Sequence, residues 1–161
     1  MASPTQIRRA GLADAEHVGV LTERVYRRGG WGSERYSRAL LDGRSRIEDA
    51  IVLVATVDEA IVGTVTVALP ETTMAHMAHA DEVEVRMLAV DEAARGRGIA
   101  NLLMEECETL AKAQGVKGVV LCTEPDMYAA HRLYQRRGYV RQPDRDWEVD
   151  GTPLMAYRLQ V

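Results

Sequence analysis

The chain has 161 residues, of which 47% are hydrophobic and 27% charged, with a formal net charge of -4. That length is typical of one domain with a substantial core, and the composition is that of an ordinary globular protein. A mildly acidic chain with 5% aromatic residues lacks the basic stripe and the stacking platforms that nucleic-acid binding uses. We therefore expect a single domain over residues 1–161 and no nucleic-acid partner.

Apolar runs and cysteine usage indicate the compartment. The first eleven residues, MASPTQIRRAG, lack the apolar stretch of a signal peptide, and the longest apolar run, AIVLVA, is too short to span a bilayer. We therefore predict a cytoplasmic protein without a membrane partner. Cys107 and Cys122 are too distant for a CxxC pair and too few for a disulfide framework, which predicts buried, reduced thiols. His76 and His79 form an isolated HxxH, and we assign no metal to it.

In the first half of the chain, the pattern predicts a short strand, two helices and a β-hairpin. IRRAG is typical of a strand, and Asp14 to Arg28 places apolar residues at helical spacing before the GGWG break. Ser33 is positioned to cap a second helix from Glu34 to Leu41. IVLVATV and IVGTVTVAL, joined by DEA and ended by Pro70, predict an antiparallel pair.

The second half predicts a β-α-β unit followed by a helix and a hairpin. Glu82 to Val90 begins by alternating charged and apolar residues, as a strand does. An apolar stripe then predicts a helix from Gly98 to Gln114, ended by Gly115, and VKGVVLCT predicts the next strand. The two strands should therefore be parallel. Met127 to Arg137 predicts the last helix, and YVRQ and PLMAYRL predict a closing hairpin.

The segment RGRGIA at residues 95–100, which we call the glycine turn, joins a predicted strand to a predicted helix. A helix N-terminus presents unpaired N–H groups and a partial positive charge, and glycines let a ligand approach the backbone. Arg95 and Arg97 would add bidentate donors, which favours a pyrophosphate ligand. The residues alone fit equally well a tight connection with solvated arginines. The P-loop pattern is absent, and Asn101 stands where GxGxxG requires its third glycine.

The glycine turn resembles the [QR]xxGx[GA] signature of the GCN5-related N-acetyltransferase (GNAT) superfamily, which cradles the pyrophosphate of acetyl-CoA. The preceding MLAVDEA is similar to the family's LAVdp. A second block, AAHRLYQRRGY, resembles the family's AxxLYxxxGF in Ala130, Leu133, Tyr134, Gly138 and Tyr139. The blocks follow each other in the family's order and spacing. One departure is Met127, which stands where the family usually has an asparagine that touches the cofactor.

The resemblance implies an α/β fold of the acyl-CoA N-acyltransferase type: a mixed, mostly antiparallel sheet with a central splayed parallel strand pair, flanked by about four helices. It also implies acetyl-CoA as the acyl donor. The residues that it assigns to donor binding are Met87, Leu88, Ala89, Val90, Arg95, Gly96, Arg97, Gly98, Ile99, Ala100, Met127 and Ala130.

Acetyl transfer to an amine needs a neutral amine, a stabilised oxyanion and a proton for the departing thiolate. Glu84 is the predicted general base, because histone-acetylating family members carry a glutamate at this offset in ExxxxAV, and Glu82 is the fallback. Tyr134 matches the family tyrosine that protonates the thiolate, and the resemblance places the oxyanion at a backbone N–H near Leu88. By spacing alone, Glu84 also fits a solvated strand carboxylate, and Tyr134 fits a packed helix aromatic.

The acceptor pocket of the superfamily is built from the first two helices and the loop that joins the last strands. A cationic amine could be attracted there by aspartates and packed against an aromatic ring. The corresponding residues here are Tyr26, Trp31, Tyr36, Asp144, Asp146 and Trp147.

These features predict an acetyl-CoA-dependent N-acetyltransferase that acts on a primary amine by direct attack in a ternary complex. A small molecule and a protein amino group both fit as acceptor, and a longer acyl donor and a homodimer stay open. A rival hypothesis is a non-catalytic acyl-CoA-binding sensor or regulatory module on the same fold. A third, a nucleotide-binding domain, lacks the motifs that it requires.

Overall fold

An eight-stranded mixed sheet forms the centre of the computed structural model, which describes residues 2–161. Seven strands form one path in the order β1-β2-β3-β4-β5-β8-β6, and β7 pairs with β8 beside it. The strands are β1 (Thr5–Arg9), β2 (Ile51–Val57), β3 (Ala60–Ala68), β4 (Glu82–Val90), β5 (Gly118–Thr123), β6 (Val140–Arg141), β7 (Trp147–Val149) and β8 (Thr152–Gln160).

Five α-helices lie within the described residues, one more than the sequence predicted. They are α1 (Ala15–Gly29), α2 (Glu34–Leu41), α3 (Gly43–Asp49), α4 (Ile99–Ala113) and α5 (Tyr128–Arg136). The unpredicted helix is α3, whose sequence GRSRIED is mostly polar. Its buried side chain is Arg46, which donates to the carbonyl oxygens of Ala39 and Leu40 at the end of α2. None of the helices in residues 2–161 has the length and apolarity that crossing a bilayer demands.

The predicted β-α-β unit is confirmed, and its parallel strands separate early. β4 pairs with β5 only from Glu82 to Glu84, although β4 continues to Val90. On its other edge, β4 carries a bulge, because Arg86 lies opposite Thr66 and Ala89 opposite Thr64. Met87, inside this bulge, has a φ of +56°, which a non-glycine residue rarely adopts. Met87 and Leu88 therefore have no partner residue in either neighbouring strand.

Helices cover both faces of the sheet. α4 packs its buried Ile99, Leu103 and Cys107 against one face, and α1 packs Val18 against the other. Alternation along β2 supplies both cores, since Leu53 joins the first cluster and Val54 the second. The sheet is thereby covered on both faces.

The chain ends differ from the sequence prediction in detail. The pairing of the YVRQ strand with the last strand is confirmed for Val140 and Arg141, but β7 also pairs with β8 and is its nearer neighbour in sequence. Of the two cysteines, Cys107 is buried as predicted, whereas Cys122 is partly exposed. The reason is its place near the end of β5, where the sheet opens.

Candidate active site

The glycine turn has the backbone shape that anion binding requires. Gly96 and Gly98 have φ values of +81° and +73°, and a Cβ added to either would meet no heavy atom within 4 Å. The glycines are therefore required for backbone conformation, and the space beside them is open. Ile99, which is buried, fixes the first turn of α4 to the core, and Ala100 is half-buried beside it.

The turn leaves its hydrogen-bond donors unused. No acceptor among residues 2–161 takes a hydrogen bond from the backbone N–H groups of residues 96–101. Arg95 and Arg97 are exposed, and no carboxylate of the described residues lies within 4.0 Å of either guanidinium. The N-terminus of α4, six unpaired N–H groups and two free guanidinium groups together offer the donors and positive charge that a multiply charged anion needs.

Two connected spaces lie beside the separated ends of β4 and β5. The larger, which we call the main cavity, has a volume of about 160 Å³. The smaller, which we call the narrow cleft, has a volume of about 80 Å³. Seven of its lining residues also line the main cavity, among them Met87, Cys122 and Met127. Leu88, Ala130 and Tyr134 line the narrow cleft alone. The unpaired backbone of Met87 and Leu88 therefore runs along the narrow cleft.

Glu84 lines the main cavity and holds its wall in place. One carboxylate oxygen, Oε1, accepts the backbone N–H groups of His76, Met77 and Ala78 at 2.9, 2.6 and 3.0 Å. The other, Oε2, lies 3.8 Å from Nε of Arg86. Only Oε2 is therefore available to interact with a molecule in the cavity. Glu84 also anchors the β3–β4 loop, residues 69–81.

Glu82 is absorbed by a buried ionic network. Its side chain is 2% exposed, and its two oxygens accept from Arg145, at 2.9 Å each, and from Arg158 at 2.7 Å. It also accepts the N–H of His79. These partners overcome the cost of burial and hold the pKa of Glu82 at about 2. Glu82 is not part of the cavity lining, so its geometry favours Glu84 over Glu82 as the proton acceptor.

A family model provides the identification. The model of the acetyltransferase (GNAT) family matches residues 21–139, which include α1, both separated strands, the glycine turn and Tyr134. The chain belongs to the GNAT family. None of the curated proteins compared with the sequence matches it significantly.

Solved structures agree with the GNAT assignment at the level of the fold. A GNAT acetyltransferase from Staphylococcus aureus Mu50 superposes with a TM-score of 0.77 at 14% identity, over 98% of this chain and 99% of that one. PaiA N-acetyltransferase from Thermoplasma acidophilum, in complex with coenzyme A, gives 0.72 at 16% identity over 97% and 99%. YncA from Salmonella typhimurium, with its cofactor acetyl-CoA, gives 0.76 at 19% identity over 98% and 94%.

Tyr134 lines the narrow cleft of this GNAT domain. Its ring is 5% exposed and packs against Tyr139 and Tyr157, at centroid distances of 5.6 and 6.3 Å. Burial raises the pKa of Tyr134, so the phenol stays protonated at neutral pH. No described residue hydrogen-bonds to its hydroxyl group. The side chain can donate a proton toward the cleft, and it cannot act as a base.

Donor-side residues of the GNAT motifs fall into two groups. Met87, Leu88, Met127 and Ala130 line the narrow cleft. Ala89 faces the opposite side of the sheet and packs with Leu21 and Val25, and Val90 packs against the main core. Met127, the departure from the family pattern, is the N-cap residue of α5 and makes no side-chain cap. Ala89 and Val90 can therefore contribute only backbone groups to a ligand in the cleft.

The predicted acceptor residues separate in the same way. Tyr26, Tyr36 and Trp147 line the main cavity, and Trp31 lines the narrow cleft beside Tyr26. Asp144 and Asp146 line neither space. Asp146 is bound by both terminal nitrogens of Arg141, at 2.6 and 2.7 Å, which commits its charge within the fold. The structure thus brings together the aromatic residues and leaves the two aspartates outside.

Sequence reasoning missed several residues that line the main cavity, chiefly Arg86, Cys122 and Glu124. The alternation that placed Glu82 and Glu84 on one face of β4 also placed Arg86 there. Glu124 follows the last residue of β5, Thr123, and the ends of parallel strands are where ligands bind in open sheets. That positional rule could have identified Glu124 from the sequence.

Proposed function

We propose that this GNAT protein transfers acetyl from acetyl-CoA to a primary amine by direct attack in a ternary complex. The observation that carries the proposal is one continuous arrangement along β4. An anion site at the glycine turn, the unpaired strand residues Met87 and Leu88, and a cavity that contains Glu84 follow one another. A small molecule or a protein amino group could supply the amine. The predicted cytoplasmic location and single-domain organisation stay predictions.

The residues present fit acetyl-CoA as donor. Arg95, Arg97 and the N–H groups of residues 96–101 would hold its pyrophosphate, and Met87, Leu88 and Ala130 would line its pantetheine arm. Bound there, the donor supplies an activated thioester carbonyl. A backbone N–H in the bulge near Leu88 would stabilise the negative charge that forms on that oxygen.

Proton movements are assigned to two side chains. The attacking amine must lose a proton, and Glu84 Oε2 would accept it through a water molecule. The nitrogen forms a bond to the carbonyl carbon, and the carbon–sulfur bond breaks. Tyr134 would then donate its proton to the departing thiolate. Its raised pKa makes this transfer unfavourable in the ground state, so we expect Tyr134 to assist the reaction without being indispensable.

The first test is thermal unfolding with saturating acetyl-CoA, with ATP and NAD as controls. A ligand at 100 times its Kd adds about 2.7 kcal/mol, which raises Tm by roughly 5 to 10 °C for a domain of this size. A shift with acetyl-CoA alone supports the donor assignment. Equal shifts with ATP or NAD, or no shift on protein freed of coenzyme A, would contradict it.

Glu84→Gln separates catalysis from the sensor alternative. Gln retains an oxygen for the N–H groups of the β3–β4 loop, so we expect a folded protein that binds acetyl-CoA as the wild type does. Turnover with amines should fall by about 100-fold, the effect of removing a general base. A wild-type protein that binds acetyl-CoA and acetylates no amine in a broad panel would favour the sensor.

A further inference from the structure

The main cavity contains one carboxylate whose charge no neighbouring cation balances. Of its two acidic residues, Glu84 has Arg86 at 3.8 Å and three backbone N–H partners. The Glu124 carboxylate has no Lys, Arg or His nitrogen within 4.0 Å among the described residues. Arg86 also donates to the carbonyl oxygen of Met74, in the β3–β4 loop. The opposite charges of Glu84 and Arg86 therefore offset each other, and the charge of Glu124 stays unbalanced.

The other titratable groups of the cavity lining carry no compensating charge. Burial raises the pKa of the Tyr26 and Tyr36 phenols, and it raises that of the Cys122 thiol to about 11. Burial also lowers the pKa of His76, which keeps this imidazole neutral at pH 7. The cavity thus presents a net negative charge, located at Glu124, to any molecule that enters.

The backbone around Glu124 is held from both sides. The carboxylate oxygen Oε2 of Glu124 accepts a hydrogen bond from the N–H of Gly32, which lies between α1 and α2, at 2.8 Å. His131 Nε2 lies 3.0 Å from the Glu124 carbonyl oxygen and 2.8 Å from Thr123 Oγ1. One carboxylate oxygen is therefore fixed to the backbone, and no described residue occupies the other. Desolvation, together with the nearby charge of Asp126, raises the pKa of Glu124, as expected of a half-buried carboxylate that lacks a cation.

We infer that Glu124 binds the acceptor as an ammonium ion when it enters, before the same nitrogen loses its proton to Glu84, and that the acceptor is a primary amine with an apolar or aromatic body. The inference rests on the proposed function for its assignment of the main cavity to the acceptor. The second half follows from the rest of the lining: Tyr36, Trp147, Val149 and Leu154 surround the same space. A cation close to such rings gains from both the carboxylate and the aromatic faces.

Phenethylamine and 2-phenylethanol form a suitable probe pair, since they differ in the ammonium group alone. Their Kd values would be measured by calorimetry on coenzyme A-saturated wild type, Glu124→Gln and Asp126→Asn. Gln keeps an acceptor for the Gly32 N–H while removing the charge. Asp126 is an exposed acid two residues away that adds to the negative potential at Glu124 but does not line the cavity, so its substitution controls for charge that acts without contact.

We expect Glu124→Gln to raise the Kd of phenethylamine by about 10- to 100-fold, as removal of a charged partner does. Asp126→Asn should change it less than about twofold, because exposed charges contribute little. The Kd of 2-phenylethanol should be the same for all three proteins. Failure of the wild type to bind phenethylamine, equal binding of the alcohol by the wild type, or equal effects of the two substitutions would overturn the inference.

Steady-state kinetics with the same proteins distinguish this inference from the proposed function. An ammonium anchor predicts that Glu124→Gln raises KM for the amine more than it lowers kcat, whereas Glu84→Gln lowers kcat. If amines are acetylated and Glu124→Gln leaves KM unchanged, the inference fails and the function stands. If phenethylamine binding depends on Glu124 and no amine is acetylated, the function fails and the amine site stands.

Discussion

Donor groups in the glycine turn have no partner in the described part of the chain, whereas the polar groups at the start of β4 are bonded to one another. Arg95, Arg97 and six backbone N–H groups have no partner among residues 2–161. Glu82 alone, by contrast, binds two arginines and a backbone N–H group. The turn is therefore maintained by backbone conformation, and the start of β4 by paired charge. Each region should be sensitive to a different kind of substitution.

The largest effect is expected where paired charge is removed. Glu82→Ala leaves Arg145 and Arg158, at 14% and 22% exposure, without their carboxylate. We expect the free energy of unfolding to fall by about 3 kcal/mol in urea denaturation. Glu92→Ala is the control, because its ion pair with Arg28 is about half exposed on both sides. That substitution should cost less than about 1 kcal/mol. Equal losses of stability in the two variants would mean that the buried network stabilises the fold no more than an exposed ion pair does.

Acid should weaken the same network in the wild type. The pKa of Glu82 is about 2 in the folded protein, below the ordinary glutamate value near 4.5. The stabilisation is therefore complete above about pH 4.5 and is lost as the pH falls toward 2. Glu82→Gln should flatten the decline in the free energy of unfolding over that interval. Urea unfolding at pH 6, 4 and 3 measures it, and parallel declines in both proteins would contradict the assignment.

Tyr134 depends on neither kind of contact. Tyr134→Phe removes a hydroxyl without a hydrogen-bond partner in the described chain, so stability should change by less than about 1 kcal/mol. If the phenol protonates the thiolate, kcat should fall by about tenfold, the lower range for acid catalysis where the leaving group can depart unaided. Release of coenzyme A, followed continuously, gives kcat. An unchanged kcat would make Tyr134 a packing residue.

At the glycine turn, where a modest effect on stability is expected, α4 supplies its own control. Gly98 precedes this helix and Gly115 follows it; both have a φ of +73° and open space around an added Cβ. Alanine at either position should cost about 1 kcal/mol, because positive φ disfavours any Cβ. Only Gly98→Ala should weaken acetyl-CoA binding, by about tenfold or more. Calorimetry with acetyl-CoA measures these affinities, and equal affinities of Gly98→Ala and Gly115→Ala would show that the donor does not bind at the turn.

Most of the fold followed from the sequence because its signals are local. The hydrophobic periods of β2, β3, β4 and α4 each lie within a few residues, and the order of elements then required a parallel pair. α3 escaped because GRSRIED has almost no apolar stripe, and its main buried group is an arginine. A charged side chain that satisfies carbonyl groups from another helix leaves no periodic pattern in the sequence.

The candidate site likewise combines residues that a local sequence pattern reveals with residues whose partners only the fold reveals. The glycine turn and Tyr134 belong to short motifs, so the sequence located them. The partners of Glu82 lie 63 and 76 residues away, and no local pattern shows that this glutamate is already occupied. Likewise, Asp146 is paired with Arg141, five residues earlier, and only the fold shows which acids keep an unbalanced charge.

The position of β8 between β5 and β6 affects how the protein is made. At 5 to 20 residues per second, roughly 2 to 8 s pass on the ribosome between the synthesis of Thr123 and that of Gln160. During this time, β5 presents the hydrogen-bonding edge that β8 will occupy, and such an edge can pair with another nascent chain. Domain completion therefore waits for the strand translated last among those in the sheet, and slow elongation through residues 124–151 would prolong exposure to aggregation and to chaperones.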